Sequence, residues 1–149
     1  MITVAEKDYD PRMHTAEHIL NSVMDKAYGC GRSFRSHIEK KKSKCDYRFK
    51  RPLTGEEIRN LEKSVNLIIA SDIRLSEEFI SRSEAEELYY TGKLPPDAGD
   101  RIRIVKIGEQ DACPCIGPHV ATTSEIGKFF ITTADYEDEI LRIRFKLSE

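Results

Sequence analysis

Nowhere in these 149 residues does an apolar run reach the length of a membrane span, and the opening residues, Met1 to Pro11, are charged and lack the apolar centre of a secretion signal. A cytoplasmic protein with no membrane partner is expected. Cysteine is scarce: Cys30, Cys45, Cys113 and Cys115 are too few and too unevenly spaced for a disulfide framework. A reducing compartment leaves them as thiols, so metal binding or plain burial is the better account of them. An excess of charge of one sign is also missing. With a formal net charge of −2, a nucleic-acid partner has to be held by a local basic patch and not by the field of the whole molecule. There is no internal repeat, and no low-complexity segment beyond a lysine run near position 40. Hydrophobic residues make up 39% and charged residues 34%, which suits a single domain over residues 1–149 with one core.

Histidine is scarce too, and three of the four fall in two short motifs. The first is Met13-His14-Thr15-Ala16-Glu17-His18-Ile19-Leu20. Asp10-Pro11 before it reads as an N-cap followed by proline at the first helical position, where the missing N–H costs nothing. Met13, Ala16, Leu20, Val23 and Ala27 then mark one apolar face, and Gly29 is a natural stop. His14 and His18 are one turn apart, so both imidazoles leave the same side of this helix. They lie off the apolar stripe, roughly 80° or more from its near edge, which weakens the reading of them as packed core residues. The second motif is Cys115-Ile116-Gly117-Pro118-His119, where Gly117-Pro118 predicts a tight turn that lets the thiol and the imidazole face one point. Each motif alone is a weak signal. Together His14, His18, Cys115 and His119 make a plausible tetrahedral Zn2+ set. Cys113 sits two residues before Cys115 and is open to three roles: replacing it, assisting it, or filling space as a small apolar residue. Cys30 and Cys45 read most simply as core or strand residues.

Around these motifs the periodicity changes several times. Phe34 to Glu39 and Cys45 to Phe49 read as strands, the second with Cys45, Tyr47 and Phe49 alternating against Asp46 and Arg48. Lys40-Lys41-Lys42-Ser43-Lys44 would be the tip of that hairpin, either a solvated turn or a contact to phosphate. Thr54-Gly55-Glu56-Glu57 is a capping box ahead of the stripe Ile58, Leu61, Val65 and Ile68, a helix ending near Ala70. Ile73 to Leu75 and Glu77 to Ile80 look extended. Ser83-Glu84-Ala85-Glu86 predicts a short helix through Tyr90, closed by Gly92 and Pro95-Pro96. Ile102, Ile104 and Ile107 mark a strand alternating with Arg101, Arg103 and Lys106 until the final step, past Val105, breaks the period, and Phe129 to Thr133 and Ile140 to Leu147 supply the last two. Neighbouring strands on both sides of helices predict an α+β domain with a mainly antiparallel sheet.

The paired motifs resemble those of a known family. His14-Thr15-Ala16-Glu17-His18 is similar to the His-x-x-x-His motif of the editing domains of threonyl- and alanyl-tRNA synthetases, including the free-standing alanyl type. Cys115 to Val120, with Thr123 to Gly127, resembles their Cys-x-x-x-His motif. The wording Ile116-Gly117-Pro118-His119 is closer to the threonyl type than to the Gly-Gly-Thr-His usual in the alanyl type. The resemblance implies a curved antiparallel sheet wrapped around a helix, with further helices outside, and hydrolysis of wrongly aminoacylated tRNA. It also implies that His14, His18, Cys115 and His119 serve as zinc ligands and as the catalytic residues.

Ester hydrolysis needs water directed at the carbonyl and stabilisation of the oxyanion that forms. Zinc would polarise the carbonyl or acidify a bound water; without metal, His14 or His18 would act as base or position the water while Cys115 helps hold the substrate. The expected activity is deacylation in trans of serine or glycine on tRNA(Ala), or of serine on tRNA(Thr). Its partner would be the acceptor end of the aminoacyl-tRNA, gripped by Lys40, Lys41, Lys42, Lys44 and Arg48. Arg101 and Arg103 would face either solvent or the phosphate near the ester. Two alternatives stand beside this: a non-catalytic RNA-binding or adaptor domain with a structural zinc, and a hydrolase of small aminoacyl esters.

Overall fold

A computed structural model describes residues 10–89 and 99–148. Met1 to Tyr9, and Tyr90, Gly92 and Pro95-Pro96 of the expected helix closure, lie outside the described residues. In chain order the elements are α1 (Pro11–Tyr28), β1 (Arg35–Ile38), β2 (Ser43–Arg48), α2 (Gly55–Ala70), β3 (Leu75–Ser81), α3 (Arg82–Leu88), β4 (Arg101–Ile107), β5 (Asp111–Pro114), a 3-10 turn (Thr123–Ile126), β6 (Phe129–Glu137) and β7 (Ile140–Leu147). The class is α+β and every strand pairing is antiparallel. The strands divide, however, between two sheets, ordered β1-β2-β7-β6 and β3-β4-β5, where the sequence suggested one. The cause lies in β4. Ile102 and Ile104 close a small separate cluster over Ala85 of α3, while Ile107 reaches the main core.

α1 is the centre of that core. Asp10 caps it by accepting from the backbone N–H groups of Arg12 (2.9 Å) and Met13 (3.2 Å), and Gly29 ends it with φ of 63°, a conformation that suits a residue without a Cβ. Arg12 ties its first turn to the far end of the chain, donating from Nη2 to the carbonyls of Ile126 (2.6 Å) and Ser148 (2.5 Å). The expected single apolar stripe is too narrow, because every residue from Met13 to Met24 is buried. The apolar side packs with α2 and with the inward residues Cys45, Tyr47, Leu141, Ile143 and Phe145 of the four-stranded sheet. The polar side is covered by β5. His14 and His18 are therefore buried although they lie off the stripe.

α2 forms as the capping box predicts, with Thr54 and Glu57 bonding each other's backbone N–H. Its fully packed positions are Leu61, Val65 and Ile69, whereas Ile68 is only half-buried. Asn66 fixes α2 to the start of β6, donating to the Phe129 carbonyl (2.9 Å) and accepting from its N–H (2.8 Å). α3 starts two residues earlier than expected. Ser81 is its N-cap with Glu84 as partner, since the Ser-x-x-Glu pattern occurs twice and β3 ends at the first copy. β5 had no legible periodicity, and β6 runs to Glu137 across an irregularity between Ile131 and Thr133. On the outer sheet face Asp46, 1% exposed, accepts from Arg35 Nε (2.7 Å) and from Arg142 Nε (2.7 Å) and Nη2 (2.9 Å).

Candidate metal centre

The fold brings the two histidine motifs together. His14 and His18 stand on the first turns of α1, and Cys115 and His119 on the loop after β5. One donor atom from each lies within 4.8 Å of all the others. Cys115 Sγ is 3.2 Å from His14 Nε2 and 3.5 Å from His119 Nε2. His14 and His119 stack with ring centroids 4.1 Å apart, and His18 meets both edge-on. Tetrahedral zinc with ordinary Zn–N and Zn–S bonds places its donor atoms about 3.3–3.6 Å from one another. The Cys115–His119 pair falls at that spacing, the Cys115–His14 pair is slightly shorter, and all four donors lie within 4.8 Å, so the set fits zinc in chemistry and comes close to it in size. Cys113 is not in the group. Cys45 is core, and Cys30 is half-buried beyond the end of α1.

Two braces set this loop. Arg103 on β4 donates from Nη1 to the Gly117 carbonyl (2.8 Å), its own carbonyl accepts from Cys115 N–H (3.1 Å), and its Nε pairs with Glu77 (2.5 Å). Arg103 therefore shapes the ligand loop while staying partly exposed, and Arg101 is exposed and lies over the Phe79 ring. The second brace is on α1. Ser22 Oγ (2.8 Å) and Lys26 Nζ (2.6 Å) both donate to the Gln110 carbonyl, fixing the β4–β5 turn. His14, His18, Ser22 and Lys26 follow at steps of four, so they form one polar ridge along the helix.

The far ring nitrogens are held as metal-bound imidazoles usually are. His14 Nδ1 donates to the Pro118 carbonyl (3.0 Å), which leaves Nε2 for the centre. Thr15 Oγ1 gives its hydrogen to the Pro11 carbonyl (2.8 Å), so at 2.8 Å from His119 Nδ1 it can only accept. That makes Nδ1 the protonated nitrogen of His119 and puts the Nε2 lone pair toward Cys115. Thr15 also accepts from Val120 N–H (3.2 Å). His18 Nδ1 is buried with no hydrogen-bond partner, and Asp111 Oδ2 stands 3.7 Å away. Arg32 grips that carboxylate with both arms, Nη1 to Oδ1 at 2.8 Å and Nη2 to Oδ2 at 3.2 Å. Sequence reasoning missed Thr15, Arg32 and Asp111, and no motif marks them.

Charge at the centre is already arranged for a cation. Burial opposes ionisation of Cys115, but bonds from His119, His14 and His18 outweigh it and bring the thiol down to about 2. Burial, with help from the neighbouring histidines, lowers His119 to about 4, so it is neutral at pH 7. Burial lowers His18 too, yet Asp111 and Cys115 prevail and raise it well above its ordinary value. Cys113 is pushed up by burial and stays a thiol. The result is a thiolate and a neutral imidazole beside a histidine whose proton a metal ion would replace.

The basic residues lie elsewhere. Lys40, Lys41 and Lys42 are exposed in the β1–β2 turn, but Lys44 is already within β2, paired in register with Arg144 and His37. Arg48 is exposed and stacks over Phe34 at 4.0 Å.

A sequence profile of the second additional domain of threonyl and alanyl tRNA synthetases matches residues 102–144, from β4 into β7, and so includes Cys115 and His119. Relatives extend the match to the histidine helix. The alanine-tRNA ligase of Aeropyrum pernix is 33% identical over 141 residues and that of Methanosarcina mazei 34% over 145, each across 90% of this chain. The chain is similar to the editing-domain family over nearly its whole length. The alanine-tRNA ligase of Methanococcus aeolicus is 32% identical over 140 residues. The chain spans about 15% of the length of these ligases. Among the described residues no helix is long and apolar enough to cross a membrane.

Proposed function

We propose that residues 1–149 form one cytoplasmic domain that hydrolyses the ester of mischarged aminoacyl-tRNA, acting in trans, with zinc held by His14, His18, Cys115 and His119. The observation that carries this reading is the convergence of those four donors, from a helix and a distant loop, in a chain similar to that synthetase family. Because the relatives named are alanine-tRNA ligases, serine or glycine on tRNA(Ala) is the first substrate to test, ahead of serine on tRNA(Thr). A zinc ion bound there supplies a Lewis acid for the ester carbonyl or for water. With the ion in place the four side chains serve to hold and orient it. In the metal-free alternative, neutral His119 is a proton acceptor beside the site and protonated His18 steadies an oxyanion. Lys40, Lys41, Lys42, Lys44 and Arg48 grip the phosphates of the acceptor end; the exposure of most of them, and Arg144 beside Lys44, support that assignment.

A second reading has its own support. Four donors close a tetrahedral shell, the pattern of a structural zinc, and that suits a non-catalytic RNA-binding domain. One experiment separates the two. The purified chain is incubated with seryl- and glycyl-tRNA(Ala), seryl-tRNA(Thr) and correctly charged controls, with zinc measured in the same sample. Release of serine or glycine above the spontaneous rate, with about one zinc per chain, is expected. Bound zinc with no release from any charged tRNA would sink the hydrolase and leave the structural reading.

A further inference from the structure

We infer that Asp111, clamped by Arg32, is the positioning residue for His18: its carboxylate takes the Nδ1 hydrogen and so aims Nε2 at the four-donor centre. The inference rests on the metal reading above and adds a role for two residues outside the donor group. His14 and His119 each have the far nitrogen tied, to the Pro118 carbonyl and to Thr15 Oγ1. His18 Nδ1 alone of the three is buried without a hydrogen-bond partner, and the group facing it is Asp111 Oδ2 at 3.7 Å. A small turn of the ring closes that gap, whether or not an ion is bound at the other nitrogen.

Arg32 explains why a carboxylate so near the centre does not become a donor itself. Its planar fork engages both Asp111 oxygens, which keeps the group ionised and faces it away from competing partners. The Asp111 side chain is only 7% exposed. Stability by itself is a poor reason for such a pair, since buried ion pairs are commonly replaced by apolar residues at no loss. Local structure holds both ends. Gly29 and Gly31, in left-handed conformations (φ 63° and 76°), turn the chain so that Arg32 follows α1 closely. Gln110, gripped by Ser22 and Lys26 on the ridge that carries His18, sets Asp111 at the start of β5.

The test reads zinc affinity by competition with a chromophoric chelator, and the His18 Nδ1 proton of the metal-free protein by nitrogen-filtered NMR. D111A is the direct variant, but it leaves the half-buried Arg32 without its partner. R32M/D111L removes both charges together and keeps the fold testable. Zinc affinity is expected to fall about 10–100-fold in both variants, and the downfield Nδ1 proton of His18 to disappear while those of His14 and His119 persist. A merely structural pair would lower thermal stability and leave both readouts alone. Unchanged zinc affinity in folded R32M/D111L, or a retained His18 Nδ1 signal, would overturn the inference. Wild-type protein that takes up no zinc would instead overturn the metal reading, and the NMR signal then still decides what Asp111 does.

Discussion

Replacing Thr15 by valine removes one oxygen and little else, which makes it a sharp probe of how His119 is held. Thr15 is fully buried and its hydroxyl serves three partners: Pro11, His119 Nδ1 and Val120 N–H. In Thr15→Val the last two become buried donors without an acceptor, at about 1–3 kcal/mol each. A total of about 2–6 kcal/mol is expected, against the 5–15 kcal/mol typical of domain stability, roughly a 4–24 °C drop in melting temperature. The functional effect is separate. Without an acceptor at Nδ1 the His119 ring no longer prefers the tautomer that leaves Nε2 bare, and zinc affinity is expected to fall about 10–100-fold. Thr15→Ser keeps the oxygen and loses a methyl group, about 1 kcal/mol of packing; its zinc affinity should match wild type. Thermal denaturation with and without zinc, beside chelator competition, reads both quantities. If Thr15→Val is destabilised as calculated but holds zinc as wild type does, the hydroxyl serves only packing and the tautomer argument is refuted. Thr15→Ser behaving like Thr15→Val would refute it equally.

Two further expectations concern the outer sheet face. Hydrogen bonds from Arg142, against the opposing effect of burial and with help from Arg35, hold the Asp46 carboxyl below its ordinary value. Its folded value lies below the unfolded one of about 4, so its contribution is complete above that pH and is lost as pH falls through the folded value. Asp46→Asn should cost about 2–3 kcal/mol at pH 7 in urea denaturation, less than a fully buried pair because both guanidinium groups reach solvent. It should also flatten the acid limb of the stability profile; an acid limb as steep as wild type would show that other carboxylates govern it. Replacing Lys40, Lys41 and Lys42 with glutamine should weaken tRNA binding and reduce its salt dependence by roughly 0.7–0.9 per lost phosphate contact, with hydrolysis of a small aminoacyl ester unchanged. Unaltered tRNA affinity and slope would return those lysines to the role of a solvated turn.

What could be read from the chain followed the range of each signal. Local signals held: the Asp10-Pro11 start and Gly29 stop of α1, the Thr54 box, and the period-two strand of β2 depend on residues close in sequence. The division into two sheets did not show, because pairing of β4 with β3 and β5 is a matter of which strands meet, and only the break in period near Val105 hinted at it. The twin Ser-x-x-Glu patterns at Ser81 and Ser83 are locally equivalent; the end of β3 chose between them. At the site the four donors carry chemistry in their own names, so spacing found them. Thr15, Arg32 and Asp111 act by touching something distant in sequence, and a threonine, an arginine and an aspartate are too common to stand out.

One signal was present and went unused. His14 and His18 are the first two members of a ridge that continues through Ser22 and Lys26, all polar, on a helix whose other positions are mostly apolar. A ridge of that kind on a surface helix faces water. On α1, buried on all sides from Met13 to Met24, its first three members cannot, and each buried polar group then requires a partner; Lys26, exposed, extends the ridge beyond them. A central helix thus obliges a second element to arrive carrying matching polar groups. The β4–β5 turn and the loop after β5 are that element, with Gln110 for Ser22 and Lys26, Asp111 for His18, and the Pro118 carbonyl for His14. The same burial that makes α1 the core of the fold therefore forces the ligand loop against the histidines. Metal binding and folding should accordingly be coupled, with zinc raising the melting temperature of the wild-type protein and doing so least in variants of the ridge.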